Sequence, residues 1–170
     1  HEFVLTLWGG HTTFGGAAPT PGTSALVAVV GPVANLLLAA AFALLALRVA
    51  PDGTVLRAVL GAGALANGFV GLFNLVPGLP LDGGRILEAA VWAATGDRHR
   101  GGVVAGWTGR VVAVAVVLGV LGRAWLAGVA PDLVSVVWAA LLGAFLWSGA
   151  SAAVRAGRTG RAVDSLSVSS

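Results

Sequence analysis

The sequence contains no cysteine and no lysine, and only 10% of its 170 residues are charged. Each shortage excludes something. Without cysteine there is no disulfide framework and no thiolate metal site. Any metal must therefore be held by His, Asp or Glu, and the chain has three His and seven acidic residues. Soluble domains carry about 25% charged residues. Here hydrophobic residues make up 57% and the mean hydropathy is +0.92, so too little polar surface exists to coat a water-facing exterior. That excludes a cytosolic globule, a disordered chain and a nucleic-acid-binding domain, and leaves an integral membrane protein. The basic residues are all Arg, and the sequence pI is near 11.4. Several arginines cluster beside apolar runs, which is how a membrane protein marks its cytoplasmic side rather than how it binds nucleic acid. The absence of lysine carries no functional reading.

Long apolar runs are what the chain has instead. Residues 24–47 and 58–81 are each 24 residues without a charge, and residues 133–154 are 22. At about 1.5 Å per residue these reach roughly 33–36 Å, enough to cross a hydrocarbon core of about 30 Å. A fourth run covers residues 107–129, with Trp107 and Trp125 placed to mark the two interfaces and Arg110 and Arg123 to snorkel outward. The first long run begins too late and is too long for a signal peptide. The expected fold is an all-α polytopic membrane protein with a short N-terminal strand-like segment. Its parts are an N-terminal strand and loop over 1–23, a transmembrane core over 24–154 and a polar, Ser-rich linker or tail over 155–170. The core comprises spans at about 24–48, 56–96 (broken near 77–82), 104–129 and 132–154. Arg98, Arg100, Arg110, Arg155, Arg158 and Arg161 would share one side, against Arg48, Arg57 and Arg123 on the other. That count puts the protein in the cell membrane with a cytoplasmic C-terminus.

The second span is unusual. Pro77, Gly78 and Pro80 cannot continue a helix, yet the helical pattern resumes after Asp82 through Ile86, Leu87 and Trp92. Irregular backbone at membrane depth is tolerated only under protein or water, and broken helices build sites. Asp82, followed by Gly83-Gly84, reads either as an ordinary N-cap or as a partner for a metal or proton. The two roles are compatible. His99, within Asp97-Arg98-His99-Arg100, reads as part of a solvated basic turn. Arg85 and Glu88, three apart on a helix, read as a local pair.

Asn74-Leu75-Val76-Pro77-Gly78-Leu79-Pro80-Leu81-Asp82-Gly83-Gly84-Arg85 closely resembles the second zinc motif of the site-2 protease family of intramembrane metalloproteases. Gly31-Pro32-Val33-Ala34-Asn35 resembles that family's Gly-Pro-x-x-Asn motif, and Leu5-Thr6-Leu7-Trp8-Gly9-Gly10-His11 looks like its short strand ending in Gly-Gly. The resemblance covers roughly residues 4–155. It implies zinc held by two His of a His-Glu-x-x-His helix and by the Asp of the second motif, with the Glu as general base and a transmembrane protein as substrate. On that basis Asp82 is the third ligand, and His1 and Glu2 are the candidates for ligand and base. Asn35 either faces the substrate carbonyl and its oxyanion or serves as interhelical glue. Gly31, Pro32, Asn74, Pro77, Pro80, Gly83 and Gly84 are structural at the site, with Asn74 satisfying backbone freed by the bend. The departure is that no His-Glu-x-x-His is present: His1-Glu2 is followed by Leu5 where the second His would stand. A shortened chain, an internal deletion after His1-Glu2 and a pseudoprotease are the readings this leaves, and on paper His1, His11 and Asp82 would give three ligands. The resemblance also implies a C-terminal regulatory domain beyond this chain. The alternatives from other classes are an inactive membrane scaffold and an ion-coupled transporter subunit.

Overall fold

A computed structural model describes the backbone of residues 2–6, 9–13 and 20–167 and the side chains of residues 20–160. Two short antiparallel strands come first, β1 (Glu2–Thr6) and β2 (Gly9–Thr13), with Glu2 opposite Thr13 and Thr6 opposite Gly9. The expected single strand ending in Gly-Gly is thus two: Gly9 and Gly10 open the second strand. Five helices follow: α1 (Pro21–Arg48), α2 (Val55–Asn74), α3 (Asp82–Thr95), α4 (Arg98–Leu126) and α5 (Leu133–Ser167). Four are long and apolar enough to cross a membrane, namely α1, α2, α4 and α5 over Leu133–Gly160. Their outward faces are hydrocarbon: Leu65 is 78% exposed and Leu126 81%. Such surfaces are stable only in lipid, and the chain is a multi-pass membrane protein.

The helices pack in the order α2, α1, α3, α4, α5. Small residues set the close approaches. A Cβ on Gly63 would stand 3.1 Å from Phe42, and one on Gly71 would stand 3.0 Å from Leu36, so α2 lies tight on α1. Gly106 of α4 meets Val154 and the Ala150 carbonyl of α5 in the same way. Over 155–167 the chain continues α5 as helix. Its glycines explain why: Gly157 lies against the His99 carbonyl and Val103, and Gly160 lies under the His99 imidazole. His99 is accordingly packed against α5 rather than standing in a solvated turn.

Between α2 and α3 the chain leaves helical geometry over residues 75–81, with a cis Leu79–Pro80 peptide. Gly78 and Leu81 of this break are buried, whereas Leu75 and Pro77 are exposed. The Leu79 N–H donates to the Ala105 carbonyl of α4 at 3.1 Å, and the Gly78 and Leu81 N–H groups find the Val76 and Gly78 carbonyls. Gly109 of α4 lies directly beneath the Leu79 carbonyl, and a Cβ on Gly149 of α5 would stand 2.7 Å from Pro80. Ala105 and Ala150 are fully buried around it, and Leu81 joins Ala113 and Leu146 in the apolar core.

Two outcomes follow from this packing. Gly109→Ala pushes a methyl into the Leu79 carbonyl and should destabilise the fold by roughly 1–3 kcal/mol. Gly119→Ala on the same helix meets nothing within 4 Å and should change stability by less than about 0.5 kcal/mol, or raise it. Thermal unfolding in detergent distinguishes the two. The second outcome concerns Asp132, which caps α5 by accepting the Ser135 N–H at 2.9 Å. Hydrogen bonds from the Ser135 side chain and backbone hold its carboxyl below the usual carboxylate range. A lowered folded-state pKa means the contribution is present above the ordinary value and is lost as pH falls through the lowered one. Asp132→Ala should therefore lower Tm at neutral pH, and the gap from the unmutated chain should close in acid.

Candidate active site at the helix break

The first turn of α3 differs from those of the other helices. Thr20, Thr54 and Asp97 cap α1, α2 and α4 by accepting the N–H three residues on, and Asp132 does the same for α5. At α3 the capping position is Leu81, with no side-chain bond, and Asp82 is the first helical residue. The N-cap reading of Asp82 is therefore replaced: its carboxylate is not engaged in capping. It is half-buried, with Oδ2 3.2 Å from where a Cβ on Gly31 of α1 would stand. It has no hydrogen-bond or ion-pair partner among the described residues. The α3 N-terminus favours a negative charge at this place.

What fixes the carboxylate is backbone on backbone. A Cβ on Gly83 would overlap the Leu75 and Val76 carbonyls, and one on Gly84 would overlap the Gly78–Leu79 peptide. Both glycines are buried, so α3 starts where the break presses on it. Pro32, in the middle of α1, is fully buried one residue beyond Gly31. Asn35 is four residues on from Gly31, on the same helix face and about 6 Å along the axis. It is half-buried, with its Cβ 3.2 Å from the position of a Cβ on Gly71. Its carboxamide has no partner among the described residues. The structure thus sets Asp82 beside Gly31, and places Asn35 one turn along α1.

Other expected residues fall differently. The side chains of His1, Glu2 and His11 lie outside the described residues. Asn74 makes no hydrogen bond among the described residues, and the break is satisfied by main chain instead. Glu88 pairs with Arg98 of α4 at 3.5 Å rather than with Arg85, because Gly101 brings the α4 N-terminus against the Glu88 backbone. Arg110 lies over Trp107 and Trp147, and its Nε donates to the Ser151 hydroxyl. The glycines that cradle the break, Gly109 and Gly149, did not emerge from the motifs. Their sequence signal is the Ala105-x-x-x-Gly109 spacing of small residues.

Among the described residues no three His, Asp or Glu gather to hold a metal. A carboxylate without a partner suits one ligand position of a zinc ion, which takes three protein ligands at a catalytic site. The described residues therefore fit one position of such a site and do not complete it. A groove of about 990 Å³ is elsewhere, between the second half of α4 and the first half of α5, lined by Val120, Arg123, Asp132, Trp138, Leu142 and Phe145. It is mostly apolar, and Asp82 does not line it.

Comparison with known proteins agrees with this geometry. The family model "Peptidase family M50" matches residues 50–118, which include the break and Asp82. Rip3 of Mycobacterium tuberculosis, named as a zinc metalloprotease, is 43% identical over 150 residues, 86% of this chain and 37% of that protein. Synechocystis sll0528, named likewise, is 31% identical over 155 residues, 91% of this chain and 39% of that protein. The chain thus spans under two-fifths of the length of these relatives. The solved site-2 protease from Methanocaldococcus jannaschii shares the fold, with a TM-score of 0.59 at 21% identity over 89% of this chain and 63% of that one. The matched break, the similarity to the two bacterial relatives and the shared fold together make this chain a member of peptidase family M50, the site-2 proteases.

Proposed function

We propose that this chain forms part of a zinc-dependent intramembrane protease that cleaves a transmembrane segment of another membrane protein. The observation that carries the reading is the Asp82 carboxylate, released from capping and directed at the Gly-Pro helix. Asp82 would supply one zinc ligand. The other ligands are not among the described residues. When bound, the metal lowers the pKa of its water to about 7 and polarises a carbonyl. This chain's own residues do the positioning. Gly83 and Gly84 hold the carboxylate at a fixed height by letting α3 seat on the break. Gly31 leaves room beside the carboxylate. Asn35, with its amide uncommitted, would donate a hydrogen bond to the carbonyl of an unwound substrate segment lying along α1. A second reading, an inactive scaffold, draws on the missing His-Glu-x-x-His, and metal content separates the two.

In the full-length protein, Asp82→Asn should lower bound zinc at least about tenfold and abolish cleavage of a membrane-embedded reporter substrate. Asn35→Ala should leave zinc in place and slow cleavage by about 100-fold. Zinc is measured by elemental mass spectrometry. Equal zinc in the Asp82→Asn variant and the unmutated protein would remove Asp82 from the metal. For orientation, the arginine count favours a cytoplasmic C-terminus in the cell membrane. A reporter fused after Arg161 should read as cytoplasmic, and an extracytoplasmic signal would reverse the assignment.

A further inference from the structure

Arg110 has no role in the site above, and its surroundings are unusual for a membrane-spanning helix. It is twelve residues into α4, with its guanidinium 4.6 Å from the Trp107 ring centroid and 5.3 Å from that of Trp147 on α5. Its Nε donates to the Ser151 hydroxyl at 3.2 Å. Ser151 is itself buried, 6% exposed. One of five N–H donors is thereby used, and the planar group is fixed in orientation by two ring faces and one hydrogen bond. The ion pairs of the described residues join Arg57 to Asp52, Arg98 to Glu88 and Arg100 to Asp97, and none includes Arg110.

An arginine at membrane depth without a carboxylate calls for another anion. The direction of the cluster says where that anion comes from. Trp107 and Trp147 are 47% and 48% exposed, so the pair faces outward to lipid and not inward to Asp82. Ser151 is in the last turn of the charge-free run over residues 133–154, close to the end of the hydrocarbon slab. Arg155 follows one turn later on the same stripe of α5 and is exposed. An anchored arginine fork between two interfacial tryptophans, with a second arginine one turn farther out, is complementary to a phosphodiester at headgroup level.

We propose that Arg110, held by Trp107, Trp147 and Ser151, binds the phosphate of an anionic phospholipid on the lipid-facing side of the α4–α5 pair, with Arg155 contributing the outer charge. The bound headgroup neutralises the guanidinium and ties the two helices that enclose the break.

The test uses the whole chain in detergent, titrated with phosphatidylglycerol, phosphatidylcholine or inorganic phosphate, with retained lipid counted by native mass spectrometry. The unmutated chain should hold phosphatidylglycerol at least about fivefold more tightly than phosphatidylcholine. Arg110→Gln should abolish that preference. Arg110→Lys, which keeps a charge between the rings and so guards against misfolding, should retain only part of it. Excess inorganic phosphate should not displace the lipid. Three results would overturn the proposal: no preference in the unmutated chain, an unchanged preference in both variants (an α4–α5 clamp only), or displacement by inorganic phosphate (a soluble-anion site).

Discussion

The structure depends on satisfying the seven-residue stretch of non-helical backbone over 75–81 inside a membrane protein. Lipid offers no hydrogen bonds, so residues 75–81 must find partners within the protein or stay unsatisfied at a cost of several kcal/mol per group. They find them in α4, through the Leu79 N–H and the Ala105 carbonyl, and in their own turn. The approach this requires is closer than any side chain permits, which is why Gly109 and Gly149 stand where the break touches α4 and α5, and Gly83 and Gly84 where it touches α3. Four helices are thereby held around one irregular segment, and the apolar core of Leu81, Ala113 and Leu146 forms beside it.

The same constraint positions the chemistry. In the other four helices a Thr or Asp turns back on its own first turn. In α3 the break occupies that place with Leu81, and the acid is displaced by one residue into the helix, where its carboxylate points across to α1. A charge in a membrane protein without a local partner is expensive, and its persistence beside Gly31 is the physical reason to read it as a ligand. Asn35, one turn along the same face, adds a second polar group without a partner among the described residues. Arg110 and its two tryptophans repeat the pattern on the lipid-facing side of α4 and α5, with charge held in a fixed place for an anion.

Much of this was legible in the sequence because the bilayer enforces simple rules. Three charge-free runs longer than a hydrocarbon core and a fourth with an arginine near each end gave the four spans, and Pro77 with Pro80 gave the interruption. Asp82 stood out because it followed that interruption within an apolar chain. What escaped were features set by tertiary approach. The pairing of Glu88 with Arg98 instead of Arg85 depends on the tight turn at Gly96, whose φ is +70°. Arg110 is held by Trp147 and Ser151, about forty positions away in the sequence, a contact that only the packing of α4 on α5 sets. The continuation of α5 to Ser167 needed the contact between Gly157, Gly160 and α4, which no local pattern announces. The Asp82 side chain looked like a cap because Asp-Gly-Gly so often is one. Only the position of Leu81 decided otherwise.

The absence of cysteine from the chain permits a direct measurement of the central geometry. Gly31→Cys combined with Asp82→Cys places two thiols across the gap between α1 and α3, within reach of a disulfide. Gly31→Cys combined with Arg85→Cys, on the exposed side of α3, serves as the control. Mild oxidation in membranes should cross-link the first pair rapidly and the second hardly at all, read as the loss of free thiol by mass spectrometry. Equal cross-linking of both pairs, or none in the first, would show that the break does not hold Asp82 against the Gly-Pro helix.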